Sequence, residues 1–591
     1  MTPSNLHLAW ARLFVRAAAE AGVTEVVLSP GSRSTPLAIA VAGEPRVRLH
    51  VVIDERSAAF FALGQARVTG RPTMLVCTSG TAGAHYLPAV IEAAQSFLPL
   101  LVVTADRPWE LYDAAAPQTI DQVKLYGDFV RHHAELGLPD AAPSALRAVA
   151  RVAAQAVARA LGPTPGPVHV NARFRKPLEP VAAPRPEPWE PLVEALLARG
   201  VPAVFAPAPS FDAGAVAAVA ERIARAERGL IVCGPAPLSQ GDGRDKVLAL
   251  ARRTRFALLA EGTSQIRFGG DRAGVIECGP FDAVLRNPAR CGAPDLVLQL
   301  GAPPTSSAYG ELCAAGRVPR VVVAPHGWND PHGDAMALVH AEPAAFCAAL
   351  VQALPDRDAA PSLWPRAFAR AGGHVERFVE GVVAEAVLSE GAIARATVRS
   401  CPVGAILVVG NSTPVRDLDV FCPPSSRALR VAHQRGASGI DGLLSGAAGA
   451  QSVAAGPVAL LLGDISLLHD VGALGLLARA DGPLVAVVVQ NGGGRIFDQL
   501  PVAQRLDAEV YERCFATPQP ARFDHAAAAF GVPFARVETP AALDQALATA
   551  WARRGATLIE AVAAPREGAR IMKRIWAAAE ALGEIGPPST N

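Results

Sequence analysis

No Cys-x-x-Cys pair occurs among the nine cysteines of this 591-residue chain, and their number is odd. That scatter excludes a structural zinc site and a disulfide framework, and it points to a reducing compartment. Charge of either sign is not in excess. The 55 Lys and Arg against 54 Asp and Glu leave a net +1, which gives no electrostatic case for nucleic acid or a membrane surface as partner. No apolar run approaches the ~18 residues that a membrane span needs. The opening segment, MTPSNLHLAWARLFVRAAAEAG, interrupts its apolar positions with Arg12, Arg16 and Glu20. It reads as an amphipathic helix, not a signal peptide. The middle of the chain lacks a Gly-x-Gly-x-x-Gly after a strand, so dinucleotide binding has little support. A soluble, cytoplasmic protein is expected.

What is present is a globular composition, 51% hydrophobic and 18% charged, in a chain too long for one core; three domains are expected. Early strand candidates are residues 25–28, 49–53, 73–77 and 100–104, and late ones are 405–409, 428–432, 458–462 and 484–489. Each is followed by a polar loop and a helical pattern, at spacings of roughly 25 residues that suit parallel βαβ units. The loops correspond in order: SPGSRSTP with GNSTPVR, DERSAAFFALGQA with HQRGASGIDGLLSGAAGA, TSGTAG with GDISLL, TADRP with QNGGG. The fold class is therefore α/β, with three doubly wound parallel-sheet domains of which the first and last are similar. Proline-rich 177–191 reads as an extended linker and 354–365 as a second loose stretch. Between them 230–233, 296–300 and 321–324 are strands of a middle domain. The boundaries are 1–180, 192–353 and 366–565, with a tail at 566–591. Residues 144–161, after Pro143, read as an Ala/Arg-rich helix with a solvated face. His132, His133, His326 and His332 have no third ligand at usable spacing and read as loop residues.

The stretch 458–497 organises the rest. Two apolar runs, 458–462 and 484–489, flank a helix-forming segment at 468–480, a strand–helix–strand unit whose right-handed crossover makes the strands parallel. Their C-terminal ends then share one sheet edge, and there stand Gly463-Asp464 and Gln490-Asn491-Gly492-Gly493-Gly494. A carboxylate, an amide oxygen and a glycine-freed carbonyl are hard ligands, suited to Mg²⁺ that also holds phosphate. Glycines let the main chain approach a diphosphate closely. Four arginines occupy comparable loop ends: Arg33, Arg107, Arg416 and Arg435, with Ser32, Gln118 and Ser412 nearby in sequence. A guanidinium binds carboxylates through two parallel bonds, so substrates rich in carboxylates are expected. Pro36, early in the helix after Arg33, fits an anion site at a helix N-terminus.

The Gly-Asp and Asn pair resembles the diphosphate-and-metal motif of thiamine-diphosphate (ThDP) enzymes, with Ile465 at its third position and Gln490 in place of its first Asn. Together with SPGSRSTPLA, DERSAAFFALGQA, TSGTAGAHYLPAVIEA, PLLVVTADRP, PQTIDQ, GPVHVNARFRKPL, GNSTPVRD, RGASGIDGLLSGAAG, LLGDISLLHD and NGGGRIF, it is similar to the MenD family of menaquinone biosynthesis. These segments span both outer domains. The resemblance implies a transferase that decarboxylates 2-oxoglutarate on ThDP and adds the succinyl unit to isochorismate in a 1,4 sense. It makes the first domain pyrimidine-binding and the last diphosphate-binding. Glu55, which alone reads as an acid serving a helix dipole, becomes the group that protonates the cofactor's aminopyrimidine, for which burial raises its pKa. Ile440, otherwise a core residue, becomes the wedge that bends the cofactor. Gly463, Asp464, Ser466, Asn491, Gly493 and Ile496 join Glu55 and Ile440 at the cofactor, with Asp464, Asn491 and the Gly493 carbonyl on Mg²⁺ or Mn²⁺. Ser412, Arg416 and Arg435 face 2-oxoglutarate; Arg33, Arg107 and Gln118 face isochorismate, Ser32 joins the substrate-binding residues, and Ile496, Phe497 and Leu500 form apolar walls. The family's sites lie between subunits, implying a homodimer or homotetramer. Relatives can present basic residues after a Pro-x-Ser loop of the middle domain; here Pro304-Thr305-Ser306-Ser307-Ala308 is uncharged, and no residue is assigned there. The alternative is another ThDP-dependent 2-oxoacid decarboxylase or ligase acting on a smaller substrate.

Overall fold

A computed structural model describes residues 5–181, 187–205, 210–286, 292–315, 318–355, 362–385 and 387–582. Among these residues eighteen strands form three six-stranded, wholly parallel sheets. In the first, β1 (Glu25–Leu28), β2 (Arg48–Val51), β3 (Thr73–Cys77), β4 (Leu100–Asp106), β5 (His132–Gly137) and β6 (Pro167–Arg173) are ordered β2-β1-β3-β4-β6-β5. The second contains β7 (Gly229–Cys233), β8 (Ala257–Ala260), β9 (Ile276–Glu277), β10 (Leu296–Leu300), β11 (Arg320–Val323) and β12 (Ala337–Val339), ordered β12-β11-β10-β7-β8-β9. The third comprises β13 (Ile406–Val409), β14 (Arg430–His433), β15 (Val458–Gly463), β16 (Leu484–Gln490), β17 (Phe534–Val537) and β18 (Ala556–Val562), ordered β14-β13-β15-β16-β18-β17. The first and third orders are the same permutation, which is the internal repeat that the loop correspondence predicts. Apolar central strands, such as the fully buried β3 and β10, need helices on both faces, and parallel crossovers supply them.

The chain divides into two compact units. One holds residues 1–208, 434–454 and 475–477; the other holds the remainder, with the second and third sheets. In the first unit the helix Glu55–Thr69 packs on the helix Leu443–Val453 through glycines. A Cβ at Gly64 would stand 2.0 Å from the Gly446 carbonyl oxygen, and one at Gly449 would stand 1.9 Å from that of Phe61. Backbones this close admit no side chain. Within the second unit Gln265 pairs with the Val431 backbone (2.7 and 3.1 Å), and the buried Arg267 donates to the carbonyls of Ala260, Gly279, Asp419 and Cys422. These bonds tie the second sheet to elements of the third.

Several local expectations are corrected. His132 and His133 lie in β5, not in a loop; a polar edge strand carries no apolar run to announce it. The helix predicted at 468–480 instead starts at Asp464, ends at His469 and resumes, after a 3₁₀ turn, at Leu474–Leu477. Asp464 is the acid in its first turn, where it favours the helix dipole, and its Oδ1 accepts the Ile465 N–H at 2.8 Å. The helix Pro143–Leu161 is not simply solvated, since Leu146, Val149, Ala153, Val157 and Ala160 bury one face. The expected linker 177–191 ends in the helix Glu190–Arg199, with 182–186 outside the described residues, as are 356–361 of the second loose stretch and 583–591 of the tail. Before that tail end, the helix Glu567–Glu580 buries Ile571, Met572 and Ile575.

Strand β6 carries His169, Asn171 and Arg173, all fully buried. Burial, then the charge of His133, pushes His169 down from 6.5 to about 3, and its Nε2 meets the Thr104 hydroxyl at 2.8 Å. The unfolded chain binds this proton below about 6.5 and the folded one does not until about 3, so stability is full above 6.5 and lost as pH falls. Denaturant titration of wild type and His169→Gln at pH 7 and pH 5 is expected to give wild type the larger acid loss, by about 2 kcal/mol.

Candidate active site

Three loops at the C-terminal edge of the first sheet converge. The Arg33 backbone N–H donates to Thr78 Oγ1 (3.3 Å), and its guanidinium donates to the Phe174 carbonyl (2.7 Å). Arg107 donates to the Ser79 hydroxyl, Gln118 Nε2 donates to the Ser79 carbonyl (3.2 Å), and the Gly80 N–H donates to Gln122 Oε1 (2.9 Å). Arg107 is itself held from behind: Arg173 donates to its carbonyl (2.8 Å) and pairs with Asp106 (2.8 Å), both residues of that pair being fully buried. Burial lowers the pKa of Arg33 and of Arg107; the Arg107 charge lowers Arg33 further, while Asp106 raises both. The buried Arg33 Nε meets no hydrogen-bond partner among the described residues. Two neighbouring guanidiniums under partial desolvation are chemically suited to an anion, because a bound carboxylate relieves both costs. Ser32 is exposed, and its carbonyl accepts from Thr35 at the start of the helix Thr35–Ala42.

Glu55 opens the helix Glu55–Thr69 and is half-buried, while Ile53 beside it is 79% exposed. The apolar enclosure expected for this carboxyl is therefore incomplete in a single chain. In the same unit, the loop carrying Arg435 and Ile440, both half-buried, is clamped by Glu92. Glu92 accepts the N–H groups of Gly436 (3.1 Å) and Ala437 (2.6 Å), the Ser96 hydroxyl (2.7 Å) and the Arg67 guanidinium (3.3 Å).

In the second unit β15 and β16 deliver the expected oxygens. Asp464 Oδ2 accepts the Gly493 N–H at 2.7 Å, and burial raises its pKa against the pull of the backbone donors Gly493, Ile465 and Gly492. Asn491 Oδ1 is buried without a hydrogen-bond partner among the described residues, and Asn491 Nδ2 donates to Glu390 Oε1. Gln490 accepts the Gly492 N–H (3.1 Å), so the residue that replaces the motif's first Asn shapes the turn. No cluster of three or more His, Cys, Asp or Glu able to hold a metal occurs among the described residues. The donors are instead one carboxylate, one amide oxygen left bare and one carbonyl, a set that fits a hard divalent cation.

Ser466 is buried beside Asp464, and Gly463 is half-buried. Ile496 and Phe497 sit in the 3₁₀ turn Arg495–Gln499. The Phe497 ring stands edge-on to Phe515 at 5.5 Å, and Leu500 is 46% exposed. Ser412 adopts φ 71°, ψ −131° ahead of the helix Thr413–Phe421, and its carbonyl accepts from Arg416 (2.7 Å). Positive φ in a serine is strain of the kind concentrated at functional sites. In the middle sheet's loop, Thr305 N–H is taken by Glu261 (2.6 Å) and the Ser306 hydroxyl by Asp282 (2.6 Å), so these groups serve the domain itself.

Glu92 and Glu390 escape sequence reasoning. Each is an acid in a helix whose decisive partners, the Gly436 and Ala437 N–H groups for Glu92 and the Asn491 amide for Glu390, lie far along the chain; only the placement of Glu92 within the quoted TSGTAGAHYLPAVIEA segment offers a signal. Burial, with Asp498 and Asp464 nearby, pushes Glu390 up to about 7 against the Asn491 hydrogen bond and Arg495.

Residues 9–125 match the thiamine pyrophosphate enzyme N-terminal TPP binding domain, and residues 424–561 match the C-terminal one. A 2-succinyl-5-enolpyruvyl-6-hydroxy-3-cyclohexene-1-carboxylate synthase of Sorangium cellulosum (strain So ce56) is 59% identical, over 98% of this chain and 96% of its own. The chain belongs to this synthase family. Synthases of Myxococcus xanthus (strain DK1622), 42% identical over 92% of each chain, and of Haloarcula marismortui, 40% identical over 91% and 92%, extend the likeness. Membership makes the protein a ThDP-dependent transferase of menaquinone biosynthesis. No helix among the described residues is long and apolar enough to cross a membrane.

Proposed function

We propose that the protein decarboxylates 2-oxoglutarate and adds the succinyl unit to C=C-conjugated isochorismate in a 1,4 sense, giving 2-succinyl-5-enolpyruvyl-6-hydroxy-3-cyclohexene-1-carboxylate. The observation that carries this reading is the guanidinium pair Arg33 and Arg107, gathered with a buried, unpartnered Nε. Such a pair suits a substrate with more than one carboxylate. Arg33, Arg107, Gln118 and Ser32 bind isochorismate, and Ser412, Arg416 and Arg435 bind 2-oxoglutarate. Bound ThDP supplies the electron sink for the charge left when CO₂ departs. Glu55 would pass a proton to the cofactor's aminopyrimidine, and Ile440 would support the cofactor from its clamped loop. Asp464, Asn491 and the Gly493 carbonyl hold Mg²⁺ or Mn²⁺, which neutralises the diphosphate. Gly463 and Ser466 line the diphosphate end, while Ile496, Phe497 and Leu500 exclude water from the reacting atoms.

Residues 1–180 serve as the pyrimidine-binding domain, 192–353 as the central domain and 366–565 as the diphosphate-binding domain, with 566–591 as a tail. The half-open setting of Glu55 supports a homodimer or homotetramer, in which a second subunit encloses that carboxyl. The scattered, odd-numbered cysteines, with no Cys-x-x-Cys pair, support a cytoplasmic location.

Protein mixed with ThDP, Mg²⁺, 2-oxoglutarate and isochorismate is expected to yield the succinylated adduct by mass spectrometry; CO₂ release without adduct would favour a simpler decarboxylase. Arg416→Ala removes a charged hydrogen-bond partner worth about 2–3 kcal/mol. Its kcat/KM for 2-oxoglutarate is expected to fall about 10²-fold, with pyruvate decarboxylation little changed. Equal losses on both substrates would reject the dicarboxylate assignment.

A further inference from the structure

Glu390 stands in the first turn of the helix Glu390–Ser400, 4% exposed, and is 101 residues from the Asn491 amide that donates to it. An asparagine amide presents an oxygen face and an NH₂ face of nearly the same shape, and only the oxygen can ligate a cation. Nothing in the asparagine itself selects between them. Ionised, Glu390 accepts and does not donate, so it holds Nδ2 toward itself and turns Oδ1 to the opposite side. There Oδ1 lies buried and without a hydrogen-bond partner among the described residues, a condition that native structures keep for a reason. The carboxylate also has its room from a glycine: a Cβ at residue 568 would stand 1.3 Å from Glu390 Oε2, so any larger residue there displaces the Glu390 side chain from this seat.

We infer that Glu390 is a positioning residue that orients Asn491 so that its oxygen faces the divalent cation; this rests on the ligand set Asp464, Asn491 and Gly493 proposed above. The negative charge also polarises the amide and strengthens Oδ1 as a donor, as outer partners of metal ligands generally do.

Mn²⁺ is the probe, titrated into the full-length protein with ThDP and followed by electron paramagnetic resonance. Glu390→Gln is expected to weaken Mn²⁺ binding by about 10- to 100-fold, with thermal unfolding of the metal-free protein unchanged. In an Asn491→Asp background there is no amide to orient and Glu390 repels the new carboxylate, so Glu390→Gln is expected to strengthen binding there. A merely structural role would not reverse sign. Unchanged Mn²⁺ affinity in Glu390→Gln, with affinity lost in Asp464→Asn, overturns the positioning role and leaves the ligand set standing. Unchanged affinity in Asp464→Asn overturns the ligand set and this inference together. If Glu390→Gln does not fold, Glu390→Asp, whose shortened side chain withdraws from Asn491, takes its place under the same criteria.

Discussion

Replacing Glu55 with glutamine is expected to lower kcat by about 10²- to 10⁴-fold, the range for a lost general acid, while ThDP affinity stays nearly constant. Glutamine keeps the shape and a hydrogen-bonding end but cannot pass a proton to the aminopyrimidine. The fold does not depend on this carboxyl. Asp54 caps the helix, accepting the Arg56 N–H at 2.9 Å and the Ser57 hydroxyl at 3.2 Å. The buried residues 57–66 hold the helix in place. Proton exchange at the thiazolium carbon of bound ThDP, followed by quenched-flow NMR, isolates the step and is expected to slow in parallel with kcat. A Glu55→Gln enzyme with wild-type turnover would remove the acid from the mechanism, and with it the functional meaning of DERSAAFFALGQA.

Gly493→Ala is the substitution with the largest expected effect on the cofactor site. Residue 493 has φ +112°, and a Cβ there would lie 2.0 Å from the Ala516 carbonyl oxygen. Relief requires moving backbone, because the obstructing atoms belong to Ala516 and Pro518. That movement breaks the bond from Gly493 N–H to Asp464 and the 2.7 Å bond from Gly494 N–H to the Ala516 carbonyl. One carboxylate and one carbonyl of the proposed ligand set shift together. Metal-dependent ThDP binding is expected to weaken by 10²-fold or more, since two bonds and the close approach are lost, about 3 kcal/mol in all. Gly492→Ala is the matched control. It too has positive φ (+81°), but the nearest atom to its Cβ would be Pro565 Cγ at 3.4 Å. It carries only the conformational strain of an L-residue, about 1–2 kcal/mol, and is expected to retain most of its ThDP binding. Calorimetric titration of ThDP into both variants with Mg²⁺ separates the two outcomes; equal binding in both would detach Gly493 from the site.

The domains were readable in the sequence where their central strands are apolar runs ended by polar loops: β1 and β3 of the first sheet and β10 of the middle one begin and end where the pattern places them. β6 and β18 were not readable. Their buried positions include His169, Asn171 and Arg173 in one and Glu560 in the other, side chains that alone indicate surface. Each is tolerated inside by a partner from another element, as Arg173 is by Asp106 and Glu560 by Arg536 at 3.0 Å.

The sequence by itself determined the repeated α/β units, the loops that bear the chemistry and the family to which the chain belongs, since each rests on residue types at short, fixed spacings. Only the tertiary structure decided that Glu92 clamps the Ile440 loop, that Glu390 meets Asn491 and that Ser79 joins Arg107 to Gln118. Helix and strand periods report which face of an element is buried. They carry no information on which distant side chain fills the opposite half of a hydrogen bond, and that choice is made when the sheets assemble and the loops at their edges close.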